Sequence, residues 1–100
     1  MIKSRGYRIE LEEIESVLYK HPGIARVAAV KVPDLESTNL IKVYISLRDD
    51  VNIAVDKRAI KTFCSDYLPR YMVPQFVVFM SKLPETQNGK IDKVKLEQEK

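Results

Sequence analysis

The residues of this sequence with the clearest chemical potential are Gly89 and Lys90, in the stretch LPETQNGKID near the C-terminal end. A lysine carries a compact cation on a flexible stem, suited to meeting a phosphate or carboxylate oxygen. The preceding Asn88-Gly89 pair is a turn signal that would present it. A phosphate-cradling P-loop requires a glycine five residues before the Gly-Lys pair and a Ser or Thr after it. Those positions hold Pro84 and Ile91, so a Walker-type loop is excluded. A second candidate is SRGYRI, where Arg5 and Arg8 flank Gly6 and Tyr7. Each stretch also reads as an ordinary solvated turn, and residue chemistry alone leaves both readings open.

Other chemistries find less support. No Ser-His-Asp grouping is evident, and no glycine-rich nucleotide loop follows a strand. The chain has one Cys, Cys64, and one His, His21. It can form no intramolecular disulfide, and the pair is too small a set for an ordinary zinc site, so no metal site is expected. Cys64 reads as a small core residue and His21, in the helix-ending HPG, as a capping or surface residue. The glutamates of IELEEIE (Glu10, Glu12, Glu13, Glu15) read as solvated partners of a helix dipole rather than acid/base machinery.

The elements that must position these residues follow from periodicity. The opening IKSRGYRI predicts a hairpin turning at Gly6. Leu11, Ile14, Val17 and Leu18 share a helical face, predicting a helix from Leu11 to Tyr19, with Glu10 as N-cap and Ile9 and Ile14 as a hydrophobic staple. Pro22 and Gly23 stop it. Residues 26–32 form a mostly apolar strand. In 41–47, Ile41, Val43, Ile45 and Leu47 alternate with Lys42, Tyr44 and Ser46, which predicts a strand covered on one side. PDLESTN is the intervening loop. A second helix runs from Lys57 to Leu68, capped by Asp56, with Ile60, Phe63, Cys64, Tyr67 and Leu68 inward and Val55 stapled to Ile60. Residues 75–80 form a short strand, and a short helix opens at Asp92 with Val94 and Leu96 inward.

The order predicts an α+β fold: an N-terminal β-hairpin followed by a small, mainly antiparallel sheet packed with two main helices and a short C-terminal helix. The chain's 100 residues, 45% hydrophobic and 31% charged, suffice for one domain with one modest core. The net charge of +3 is interleaved with acids and forms no basic stripe, which argues against nucleic acid. Nothing approaches a membrane span, and with one cysteine and no signal-like N-terminal run the expected compartment is cytoplasmic.

Three separated motifs, IKSRGYRIELEEIE, LPRYMVP and LPETQNGKID, together resemble the C-terminal subdomain of the adenylate-forming ligases. These include acyl-CoA synthetases, luciferases and nonribosomal peptide synthetase adenylation domains, and the likeness covers essentially the whole chain. It implies that residues 1–100 are the C-terminal lid of such an enzyme. The large N-terminal domain, which would hold most contacts to ATP and Mg2+ and the acyl group, is absent from this sequence, as is the hinge residue. The chain alone would then be inactive, an excised or proteolytic piece rather than a separate subunit.

In these enzymes a carboxylate attacks ATP to give an acyl-adenylate and pyrophosphate, and the acyl group then passes to a thiol. The resemblance implies that Lys90, presented by Gly89, is catalytic in the first step, bridging carboxylate and phosphate oxygens. It implies that Arg5, Gly6, Tyr7 and Arg8 line the channel for a pantetheine arm in the second, after the lid rotates. Glu10 and Glu13 match acidic positions of the motif, though the cap reading suffices for them. Lys90 also resembles a site acetylated in family members. NGKID and LPRYMVP favour amino-acid activation, which makes the expected partners the N-terminal adenylation core and a carrier protein bearing phosphopantetheine, with CoA the alternative acceptor. Two other classes stand beside this one: a stand-alone carrier-docking module without catalysis, and a small RNA-binding domain, which lacks exposed aromatic pairs.

Overall fold

The computed structural model describes residues 2–4, 7–33, 39–48 and 55–98, with side chains for all of these except 2–4, 7–9, 33, 39 and 97–98. Strands β1 (Ile2–Ser4) and β2 (Tyr7–Ile9) pair antiparallel as the expected hairpin, with Lys3 opposite Arg8. Helix α1 (Leu11–Leu18) follows, then β3 (Ile24–Pro33) and β4 (Asn39–Leu47), an antiparallel pair. Helix α2 (Lys57–Tyr67), a 3-10 turn (Arg70–Met72), β5 (Phe76–Phe79) and α3 (Lys93–Gln98) complete the order. The main sheet runs β3-β4-β5, and β5 lies parallel to β4. Two parallel neighbours need a crossover, and α2 with the 3-10 turn supplies it. The main sheet is therefore mixed, antiparallel between β3 and β4 and parallel between β4 and β5, and the hairpin is a separate two-stranded antiparallel sheet.

One sheet face carries Val27, Ala29, Ile41, Val43, Ile45 and Val77. Against it pack Ile14, Val17 and Leu18 of α1 and Ile60 and Cys64 of α2, all buried. Asp56 caps α2 as expected, its carboxylate accepting the Ala59 N–H at 2.8 Å. Ile60 is buried in the same core and partly buried Val55 packs against it, as the staple offsets suggest. Glu10 holds the N-cap position of α1, but its side chain makes no capping hydrogen bond.

The opposite sheet face overturns the expectation that β4 is covered on one side. Ala28, Val30 and Tyr44 are buried there beneath Leu83 and Leu96. The Tyr44 hydroxyl donates to the Leu96 carbonyl at 3.2 Å, which satisfies a polar group that would otherwise be costly to bury. Polar-looking alternation misled because tyrosine serves as core when its hydroxyl finds a partner. Two inward assignments are also corrected. Val94 is 66% exposed, leaving Leu96 as the anchor of α3. Tyr67 is 55% exposed, its ring tilted against Phe63 at 5.1 Å with the Lys20 ammonium over it.

The free edge of β3 is covered by α1. Tyr19 and Glu15 stand one helical turn apart and meet β3 at alternate residues. The Tyr19 hydroxyl exchanges hydrogen bonds with the backbone of Val27, and Glu15 Oε2 accepts the Ala29 N–H at 2.8 Å. The four-residue helical step thus matches the two-residue strand step, closing an edge that would otherwise invite pairing.

Candidate functional site: the Lys90 hairpin

After β5 the chain drops through buried Leu83 and enters a tight hairpin from Pro84 to Asp92. The Asp92 N–H donates to the Pro84 carbonyl at 2.9 Å, and Glu85 and Ile91 form an antiparallel bridge. The Thr86 N–H donates to the Lys90 carbonyl at 2.7 Å, and the Gly89 N–H to the Thr86 carbonyl at 3.0 Å. Gly89 has φ +80, the left-handed region that a glycine enters without a Cβ penalty. A four-residue turn closed by a left-handed glycine bulge is one of the common short hairpin connections. The Asn-Gly signal is thus realised, and Lys90 is the first residue beyond the bulge.

Arg26 grips this hairpin from the sheet. Its Nη1 donates to Glu85 Oε1 at 2.6 Å, and its Nη2 to the Gly89 carbonyl at 3.3 Å. A strand irregularity makes this possible. Ile24 and Val27 both pack in the helix-side core, yet residues three apart fall on opposite faces of a regular strand. The register shifts between Ile24, opposite Leu47, and Arg26, opposite Ser46, so that Ala25 is the extra residue of a bulge. The bulge resets the alternation and puts Arg26 on the face of Ala28 and Val30, beneath the C-terminal hairpin.

A second tie fixes the segment after Lys90. Glu15 Oε2 pairs with Lys93 Nζ at 2.8 Å while holding the Ala29 N–H, so one carboxylate joins α1, β3 and α3. Its side chain is 15% exposed, which corrects the view of the helix-start glutamates as uniformly solvated. Asp92 opens α3 by accepting the Lys95 N–H at 3.1 Å.

Lys90 itself is exposed, and among the described residues its ammonium makes no hydrogen bond or ion pair. Its backbone is fixed while its cation has no partner among the described residues, the arrangement suited to delivering charge to a separate surface. Gly89 adjoins Lys90 in the turn, and the remaining predicted site residues lie far from it in the chain. Arg5 and Gly6 lie outside the described residues; Tyr7 and Arg8 belong to β2, with side chains outside the description. Among the described residues no cluster of three His, Cys, Asp or Glu could hold a metal ion. The His21 Nδ1 accepts the Gly23 N–H at 3.0 Å, and Cys64 is buried, its thiol pushed up to about 11 by desolvation. Neither is placed for nucleophilic chemistry.

The sequence reading did not single out Arg26, Glu85 or Lys93 as site residues. Arg26 and Glu85 are 59 positions apart, and only the parity mismatch between Ile24 and Val27 hints at a bulge there.

The hairpin with its protruding lysine is also where comparison with known proteins is most informative. The sequence model of the AMP-binding enzyme C-terminal domain matches residues 13–90. The chain belongs to that family. It is 40% identical over 92 residues to a linear gramicidin synthase of Brevibacillus parabrevis, covering 92% of this chain and 2% of that protein. It is 40% identical over 97 residues to probable acyl-activating enzyme 10 of Arabidopsis thaliana, covering 93% of this chain and 18% of that protein. Among solved structures, a Mycobacterium tuberculosis fatty acyl CoA synthetase superposes with a TM-score of 0.87 at 31% identity, covering 98% of this chain and 19% of that one. The chain thus spans less than a fifth of the length of these relatives. No helix among the described residues is long and apolar enough to cross a membrane.

Proposed function

We propose that this chain is the mobile lid of an ATP-dependent ligase that activates a carboxylate, an amino acid by preference, as its acyl-adenylate and passes it to a phosphopantetheine thiol on a carrier protein. The observation that carries the reading is the Lys90 hairpin: a lysine pinned at its backbone, exposed, and with no partner for its cation among the described residues, within a domain of the AMP-binding enzyme family. During adenylation, negative charge concentrates on the carboxylate and the α-phosphate as their oxygens approach. A preorganised ammonium brought into a closed site stabilises that charge without reorganising solvent. ATP and Mg2+ belong to the N-terminal domain in this scheme, and this chain supplies the cation. The segment from Arg5 to Arg8 then takes the place of the hairpin for thiol transfer and lines the pantetheine channel.

The likeness to a fatty acyl CoA synthetase, at 31% identity, supports a second acceptor, free CoA. Product analysis with holo carrier protein and with CoA separates the two. The role of Lys90 is tested in the intact enzyme with Lys90→Ala. Substrate-dependent ATP–pyrophosphate exchange is expected to fall by about 10²–10³-fold, the scale of losing one oxyanion-stabilising donor, while transfer from preformed acyl-adenylate survives. Native exchange in that variant would defeat the assignment.

A further inference from the structure

We propose that Arg26 is the positioning residue of the Lys90 hairpin, and that its pairing with Glu85 sets the rate of the step in which the Lys90 ammonium acts; the proposal rests on the reading of Lys90 above. The geometry is specific to that end. Arg26 Nη2 holds the carbonyl of Gly89, which belongs to the same peptide unit as the Lys90 nitrogen. On the other side of Lys90, its own carbonyl accepts the Thr86 N–H at 2.7 Å. The two peptide planes flanking the Lys90 Cα are therefore both fixed, one by the hairpin itself and one from the sheet. Arg26 Nη1 on Glu85 Oε1 at 2.6 Å fixes the base of the same hairpin, so a single planar fork spans it from base to turn.

This role is separable from stability. The two side chains are 37% and 36% exposed, and ion pairs of that kind contribute little to folding. The cation lies on the sheet face beneath the hairpin only because Ala25 bulges, so the strand departs from regular pairing at the residue that reaches the catalytic loop. Near-attack geometry is sensitive on a scale that such a clamp controls: a shift of about 1 Å at the reacting groups costs up to about 100-fold in rate.

The experiment uses the intact enzyme with Arg26→Glu, Glu85→Arg, the double exchange and Arg26→Lys, beside Lys90→Ala. Three quantities are read: kcat and KM for ATP in pyrophosphate exchange, thiol transfer from preformed acyl-adenylate, and amide hydrogen exchange across residues 84–92. Each single reversal is expected to lower kcat of adenylation by about tenfold or more, with KM and thiol transfer near native and faster amide exchange at Gly89 and Lys90. The double exchange restores the ion pair at the base of the hairpin but sets a carboxylate, which cannot donate, near the Gly89 carbonyl, so it should recover only part of the loss. Arg26→Lys, which keeps the charge but not the fork, should fall between native and the single reversals. Equal loss in both half-reactions would mark a merely structural role and overturn the proposal, as would a double variant no better than the worse single. Native adenylation by Arg26→Glu beside an inactive Lys90→Ala overturns this inference alone. Native adenylation by Lys90→Ala overturns the functional reading and the role of Arg26 with it.

Discussion

Replacing Glu15 by alanine should loosen the whole seat of the Lys90 hairpin, and the size of the effect can be worked from its contacts. Glu15 Oε2 is the acceptor for the Ala29 N–H at 2.8 Å and for Lys93 Nζ at the same distance. Ala29 is fully buried, so Glu15→Ala leaves a backbone donor without a partner, at a cost of about 1–3 kcal/mol. The ion pair adds less, because the Lys93 side chain is 36% exposed and solvent screens it; about 0.5 kcal/mol is a fair share. Alanine's better helix propensity returns a few tenths of a kcal/mol. The net expectation is a loss of about 2 kcal/mol. Glu15→Gln keeps an oxygen for the Ala29 N–H and gives up only the charge, so it should cost less than about 1 kcal/mol. Urea unfolding at neutral pH measures both, with the slope checked for constancy. Equal costs for the two variants, or a loss below about 0.5 kcal/mol for Glu15→Ala, would refute the view that the buried N–H dominates.

Other consequences follow from the same contacts. Gly89→Ala meets no atom within 4 Å, so its cost is purely the left-handed backbone, about 1–2 kcal/mol. It should slow adenylation through the turn while leaving thiol transfer near native, which half-reaction assays would show. Cys64 is pushed from 9.0 up to about 11 by burial, so the folded state keeps the neutral thiol where the unfolded state ionises. Stability should therefore be unaffected below pH 9 and fall as pH rises toward 11, by roughly 2–3 kcal/mol. Urea midpoints of the native chain and of Cys64→Ala across that range check it, since the variant should lack the added slope.

How much of this was legible in the sequence depended on whether the deciding interaction was local. The hairpin, both main helices, the Asp56 cap and the Asn-Gly turn rest on contacts within a few residues, and each was readable. The second core was not. Tyr44 and Ser46 look like a solvated face, and only the return of Leu83 and Leu96 across the sheet buries Tyr44. Nor did periodicity place Val94 and Tyr67 correctly, because short helices bury a narrower stripe than their apolar residues suggest. At the candidate site the division is similar. Lys90 and Gly89 were singled out from a motif, whereas Arg26, Glu85, Glu15 and Lys93 act through pairings that only the tertiary fold creates.

The central claim is that an ammonium at position 90, held at that place, serves adenylation. The most direct measurement replaces Lys90 by cysteine in the intact enzyme and restores the ammonium by aminoethylation, which rebuilds a side chain of lysine length with sulfur in place of one methylene. Buried Cys64, with its raised thiol pKa, should resist the reagent in the folded protein. ATP–pyrophosphate exchange should be nearly lost in Lys90→Cys and recover on aminoethylation, in proportion to modification at that residue. Native exchange by the unmodified variant, or none regained when modification at residue 90 is complete, would contradict the account.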